Sequence, residues 1–174
     1  DVLAEMGCHG NNDVVCISVS GPEEMLRGLS NNCSDMPDIV PTLAVVAAFA
    51  RGRTRLYGVP HLRYKESDRI ASVASELRKL GVDVRELDDG LEINGPENPG
   101  SFSMQGARID SWGDHRIAMA LSLAGLLVPG VEIADPQVVT KSFPGYFREM
   151  SDLGGGSTFF SAEGAELAVE GDGS

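Results

Sequence analysis

Three cysteines occur in the 174 residues, Cys8, Cys16 and Cys33, and none stands in a CxxC pair. An odd, unpaired set excludes a disulfide framework and a thiolate zinc site. All three read as reduced structural thiols, which fits a cytoplasmic compartment. Basic residues are also scarce, with 14 Lys and Arg against 26 Asp and Glu and a net charge of −12. Nonspecific nucleic-acid binding, which needs a basic footprint, is therefore disfavoured. Any anion site must be a local arrangement working against the field of the whole chain. The longest apolar-rich stretch, Ile39 to Ala50, is too short to span a bilayer. There is no Walker loop, no GxGxxG, no readable Ser/His/Asp or Cys/His triad and no His/Cys cluster at metal spacing. The first residue is Asp1 rather than Met, and we expect a piece of a longer protein.

What is present is a globular composition, 42% apolar, enough for one domain over residues 1–174 with a real core. An internal repeat organises it. Gly7 and Gly21-Pro22 return as Gly81 and Gly95-Pro96, in both cases 74 positions later. A third copy follows Leu153-Gly154 and runs to Gly171. Each copy reads as a helix ended by a glycine, then two short strands; in the second, Asp88-Asp89-Gly90 is a hairpin signal. Between the hairpins, "PDIVPTLAVVAAFARG" resembles "GDHRIAMALSLAGLLVPG". Asp38 aligns with Asp114 and Leu43-Ala44 with Met119-Ala120, 76 positions apart. Both segments read as small-residue helices, apolar nearly all round and hence buried. A short strand follows each, "TRLYGV" or "VEIAD", and then an amphipathic helix expected to start at Lys65 or Lys141. The fold class expected is α/β, a repeated βαβαββ unit present about two and a half times. Asn94 to Gly106, rich in Gly, Pro and Ser, is expected to be a loop.

The repeat gives the charged motifs a common location. Asp38, Lys65, Asp114-His115-Arg116 and Lys141 all fall at expected helix N-termini, where unpaired N–H groups and the helix dipole favour anions. Lys65, Arg69, Arg116 and Lys141 add full charges, and arginine can clamp a phosphate or carboxylate with two parallel bonds. Each motif alone has a plainer reading: Asp38 and Asp114 as helix caps, "KESDR" as a solvated face, and His115 as a structural hydrogen-bonder.

"PDIVPTLAVVAAFARG", "LRYKESDRI", "GDHRIAMALSLAGL" and "KSFPGYF", in this order and spacing, resemble the C-terminal part of the 5-enolpyruvylshikimate-3-phosphate synthase (3-phosphoshikimate 1-carboxyvinyltransferase) family. The resemblance reaches about Leu153. UDP-N-acetylglucosamine enolpyruvyl transferase shares the repeat architecture without this motif set. The resemblance implies an inside-out α/β barrel with helices buried and sheets outside. It implies transfer of the enolpyruvyl group of phosphoenolpyruvate to the 5-hydroxyl of shikimate 3-phosphate, with release of phosphate and no metal or organic cofactor. Carried over, Asp38 matches the acid/base Asp at the 5-hydroxyl and Glu66 the carboxyl that moves the proton at C3. Lys65 matches a ligand of the shikimate phosphate. Arg69, Arg116 and Lys141 match the phosphoenolpyruvate clamp, and His115 a site-lining histidine. His61 stands where some members carry an Asn that contacts shikimate. The family's N-terminal domain, which supplies further substrate ligands, is expected to lie outside this piece, which is then expected to be inactive alone. The alternative is a module that holds an organophosphate through the same helix ends without turnover; the presence of both Asp38 and Glu66 favours the enzyme.

Overall fold

The computed structural model describes residues 2–12, 16–98, 103–154, 156, 158–160 and 166–167. Helix α1 (Val2–Glu5) leads into the hairpin β1 (His9–Asn12) and β2 (Ile17–Ser20). One full unit follows: β3 (Ser30–Asn32), α2 (Val40–Ala48), β4 (Arg53–Tyr57), α3 (Arg69–Lys79), β5 (Asp83–Leu87) and β6 (Gly90–Asn94). The next is β7 (Arg108–Ile109), α4 (His115–Ser122), β8 (Glu132–Ile133), α5 (Tyr146–Asp152), β9 (Phe159–Phe160) and β10 (Glu166–Leu167). The βαβαββ order is thus present twice, preceded by the closing hairpin of another unit. Gly171, the end of the third copy, lies outside the described residues.

Pairing repeats with the sequence. β3 runs parallel to β4 and β7 parallel to β8. In the first hairpin His9, Gly10, Asn11 and Asn12 face Ser20, Val19, Ser18 and Ile17. Shifted by the repeat, Asp83, Val84, Arg85 and Glu86 face Asn94, Ile93, Glu92 and Leu91. Glycines stand where the unit is tight. Gly81 leaves α3 at φ +88, a conformation other residues resist. A Cβ on Gly90 would lie 1.9 Å from the Leu56 carbonyl oxygen, where β4 and β6 meet.

Helices α2, α3 and α4 pack on one another. Nearly every side of α2 is buried, including Val40, Leu43, Ala44, Val45, Ala47 and Ala48, as its uniform apolarity predicts. α4 is two-faced instead, with Arg116, Met119 and Ser122 only half-buried. The sheet, in order β3-β4-β6-β5, lies over α2 and α3. Thr54, Leu56, Val84, Leu91 and Ile93 point inward, and Arg53 and Arg55 point to solvent. This is the period-two alternation of a sheet with one wet face, so helices are inside and the sheet outside. The first hairpin differs in one respect. Leu91 and Ile93 are fully buried, but their repeat equivalents Ile17 and Val19 are 74% and 55% exposed.

Two helix starts differ from expectation. Lys65 and Lys141 do not open helices; 3₁₀ turns led by proline, Pro60–Tyr64 and Pro136–Lys141, occupy those places. Proline supplies the fixed φ and missing N–H that suit the first position of such a turn. Lys65 is then extended, and α3 begins at Arg69, where the Asp68 carboxylate accepts from the Ala71 N–H at 2.9 Å. α5 begins only after Pro144-Gly145. The cysteines also differ from a uniformly buried set. Cys33 is buried and burial pushes its thiol pKa up, but Cys8 is half-buried and Cys16 exposed on the uncovered hairpin. Asn94 closes β6, so the loop expected from Asn94 to Gly106 begins one residue later; from Gly95 to Gly106 the described residues hold no helix or strand. No helix among the described residues is long and apolar enough to cross a membrane.

Candidate active site

The first turn of α4 carries three consecutive polar residues that reach in three directions. Asp114 caps the helix, its Oδ1 accepting from the Arg116 N–H at 2.9 Å, and is wholly buried. A buried carboxylate needs cationic partners. Arg69, at the first position of α3, supplies one: its Nε donates to Asp114 Oδ2 at 2.7 Å and its Nη2 to Oδ1 at 3.3 Å. The Ser67 hydroxyl adds a bond of 3.2 Å. Burial pushes the Asp114 carboxyl up. The Arg69 hydrogen bond, the Arg116 N–H, the Arg69 charge and the Ser67 hydroxyl outweigh it and hold the group below the usual carboxylate range.

Arg69 is itself only 4% exposed and turns its remaining nitrogen, Nη1, to Asp38 Oδ1 at 3.0 Å. Arg116 donates to the other Asp38 oxygen at 3.0 Å and to its carbonyl at 3.4 Å. Asp38, in the 3₁₀ turn Pro37–Ile39 before α2, is therefore pinned between guanidinium groups from α3 and α4 while remaining 50% exposed. His115 reaches the other way, its Nδ1 lying 3.0 Å from Glu66 Oε2. With Glu66 ionised, that nitrogen is the donor. Lys141 donates to Glu66 Oε1. This bond is the main cause holding the Glu66 carboxyl below its ordinary range, against partial burial and the like charge of Asp114 and with help from the charges of His115 and Lys141.

Of the residues singled out in the sequence, Asp38, Glu66, Arg69, His115, Arg116 and Lys141 thus form one network. Lys65 and His61 are exposed and bond to none of these groups among the described residues. Asp114 and Ser67 are central too, although the family resemblance assigns a role to neither. Asp114 was legible as a helix cap, which it is, but its burial and its pair with Arg69 have no local signal. Asp68 caps α3 and pairs with Arg63 at 3.0 Å. Ligand atoms of Glu66, Asp114 and His115 lie within 4.8 Å of one another. However, the carboxylates are already engaged by Arg69, Ser67, Lys141 and the Arg116 N–H, and the adjoining cations oppose a divalent ion. A cleft of about 530 Å³ over the sheet, lined by Arg53, Arg55, Arg85 and Glu92, includes no residue of the network. What the arrangement offers chemically is two reachable carboxylates, each set against different cations.

The family model described as EPSP synthase (3-phosphoshikimate 1-carboxyvinyltransferase) matches residues 1–150. A 3-phosphoshikimate 1-carboxyvinyltransferase of Syntrophobacter fumaroxidans is 49% identical over 154 residues, covering 87% of this chain and 35% of the relative. One from Archaeoglobus fulgidus is 44% identical, covering 88% and 36%. Among solved structures, EPSP synthase from Acinetobacter baumannii superposes with a TM-score of 0.75 at 33% identity, over 87% of this chain and 37% of that one. The chain spans about a third of the length of the curated relatives it matches.

Proposed function

The chain belongs to the EPSP synthase family, and from that premise we propose that it carries one side of an active site that transfers the enolpyruvyl group of phosphoenolpyruvate to the 5-hydroxyl of shikimate 3-phosphate. The hydroxyl adds to C2 while C3 takes a proton. The tetrahedral intermediate then returns that proton and expels phosphate, which carries away the hydroxyl proton. Two proton-handling groups are needed on different sides of the reacting carbon. Asp38 takes the role at the hydroxyl and Glu66 the role at C3. Arg116 and Lys141 face the phosphoenolpyruvate anions and stabilise the departing phosphate; Arg69, expected in the same clamp, is 4% exposed with its nitrogens on Asp114 and Asp38, so it serves by fixing Asp38. Lys65, exposed and without a carboxylate partner among the described residues, meets the shikimate phosphate; His61 and His115 line the site.

The observation that carries this reading is the division of cations between the two carboxylates. Asp38 is held by the guanidinium groups of Arg69 and Arg116, and Glu66 by the Lys141 ammonium, with His115 Nδ1 as a hydrogen-bond partner. A module that only held an organophosphate would gain nothing from carboxylates that compete for its cations. The rest of the site, and the cover for Ile17 and Val19, we assign to the part of the family's length that this chain does not span, including an N-terminal domain whose closure completes the cleft. The reading is tested by Arg116→Ala in the full-length enzyme. Losing a charged hydrogen-bond donor worth about 1.5–3 kcal/mol is expected to raise KM for phosphoenolpyruvate about tenfold to a hundredfold while KM for shikimate 3-phosphate stays nearly constant. An effect confined to shikimate 3-phosphate would reverse the assignment.

A further inference from the structure

Helix α3 grips the loop between β7 and α4 at two points. One is the Arg69–Asp114 pair. The other lies seven residues, about two turns, further along the helix. There Glu76, fully buried, accepts from the Asp110 N–H at 3.0 Å and from the Trp112 indole N–H at 2.9 Å. Lys79 balances its charge at 2.6 Å. A carboxylate so placed is not packing, which an apolar side chain would do at less cost in desolvation. It is a strut between a helix and a loop.

The loop is of a kind that needs holding. Trp112 has φ +55 and Gly113 φ +67, two successive residues in the left-handed region. That region is unfavourable for a bulky residue. The Trp112 N–H also donates to Asp110 Oδ1 at 2.7 Å, so both ends of this residue are tied. Asp114, His115 and Arg116 follow directly, and their directions depend on where the loop delivers the helix start.

We infer that Glu76 is a positioning residue: through Trp112 and Asp110 it sets the first turn of α4, and so the aim of Asp114, His115 and Arg116. This rests on the proposed transfer reaction. The test uses the full-length enzyme with Glu76→Gln, which must turn an amide N–H toward one of two N–H donors, and Trp112→Phe, which keeps a ring and removes the indole donor. Both variants are expected to lose about tenfold to a hundredfold in kcat/KM for phosphoenolpyruvate, since small misplacements of binding groups cost this much; KM for shikimate 3-phosphate is expected to stay within about twofold. A lowered Tm with unchanged kcat and KM would make Glu76 merely structural and overturn the inference. If Glu76→Gln does not fold, Trp112→Phe still decides. A crystal structure of Trp112→Phe separates this inference from the reaction itself. Displaced Asp114, His115 and Arg116 side chains support positioning even if the wild type turns over other substrates, and undisplaced ones overturn it even if the transfer reaction is established.

Discussion

Glu66→Gln in the full-length enzyme is expected to lower turnover by about two to four orders of magnitude, the usual worth of a positioned acid or base, with substrate affinities changed little. Gln keeps the shape and an acceptor for Lys141, and its amide N–H can meet His115 Nδ1 in the other tautomer, so the loss reports chiefly on proton transfer. The resting geometry adds a condition. Lys141 is the main cause keeping the Glu66 carboxyl low, which keeps the group ionised and without a proton to give while that bond stands. An anion that draws Lys141 away removes the influence, and the carboxyl becomes easier to protonate when phosphoenolpyruvate is bound. Steady-state kcat for the variant checks this; a near-normal value would remove Glu66 from the chemistry.

Asp114→Asn is expected to destabilise the fold by about 3–5 kcal/mol, the typical result of removing one partner from a buried ion pair. Asn is as good a helix cap as Asp, so the cap persists. What is lost is the buried partner of Arg69, which is 4% exposed and keeps only the half-exposed Asp38. The pH dependence has a definite sign. Asp114 is held below its ordinary range in the folded chain. Its contribution is therefore fully present above the unfolded carboxyl value of about 3.9, and is lost as pH falls through the lower folded value. Melting temperatures followed across that acid window are expected to fall for the wild type and to lack this component in Asp114→Asn. A neutral-pH change of less than about 1 kcal/mol would mean that water replaces Asp114 around Arg69, contrary to the buried geometry.

The repeat was readable because hairpins and helix ends depend on local chemistry. Gly81 at a left-handed helix end and Asp88-Asp89-Gly90 at a turn mark themselves, and the spacing carried the pattern to the other copies. Lys65 and Lys141 do not open helices, because Pro60 and Pro136 open short turns that delay α3 and α5. Six of the residues that the motifs mark meet in one network among the described residues, and Lys65 and His61 do not, but none of the bonds is legible in the sequence. Arg69 meets Asp114 across 45 positions and Arg116 meets Asp38 across 78. Charge type says which side chains can pair, and only the packing of α2, α3 and α4 says which do. Glu76 is the extreme case, an ordinary-looking Glu inside an amphipathic helix that proves to be buried and bonded to a loop 34 positions away.

The measurement that bears most directly on the proposed half-site is phosphate release from phosphoenolpyruvate and shikimate 3-phosphate, by this chain alone and then mixed with the remaining portion of the enzyme. We expect no release from the chain alone and release from the mixture, abolished when Glu66 is replaced by Gln. Release by the chain alone, or by a mixture carrying Glu66→Gln at the wild-type rate, would contradict the division of the active site drawn from Asp38, Glu66 and their cations.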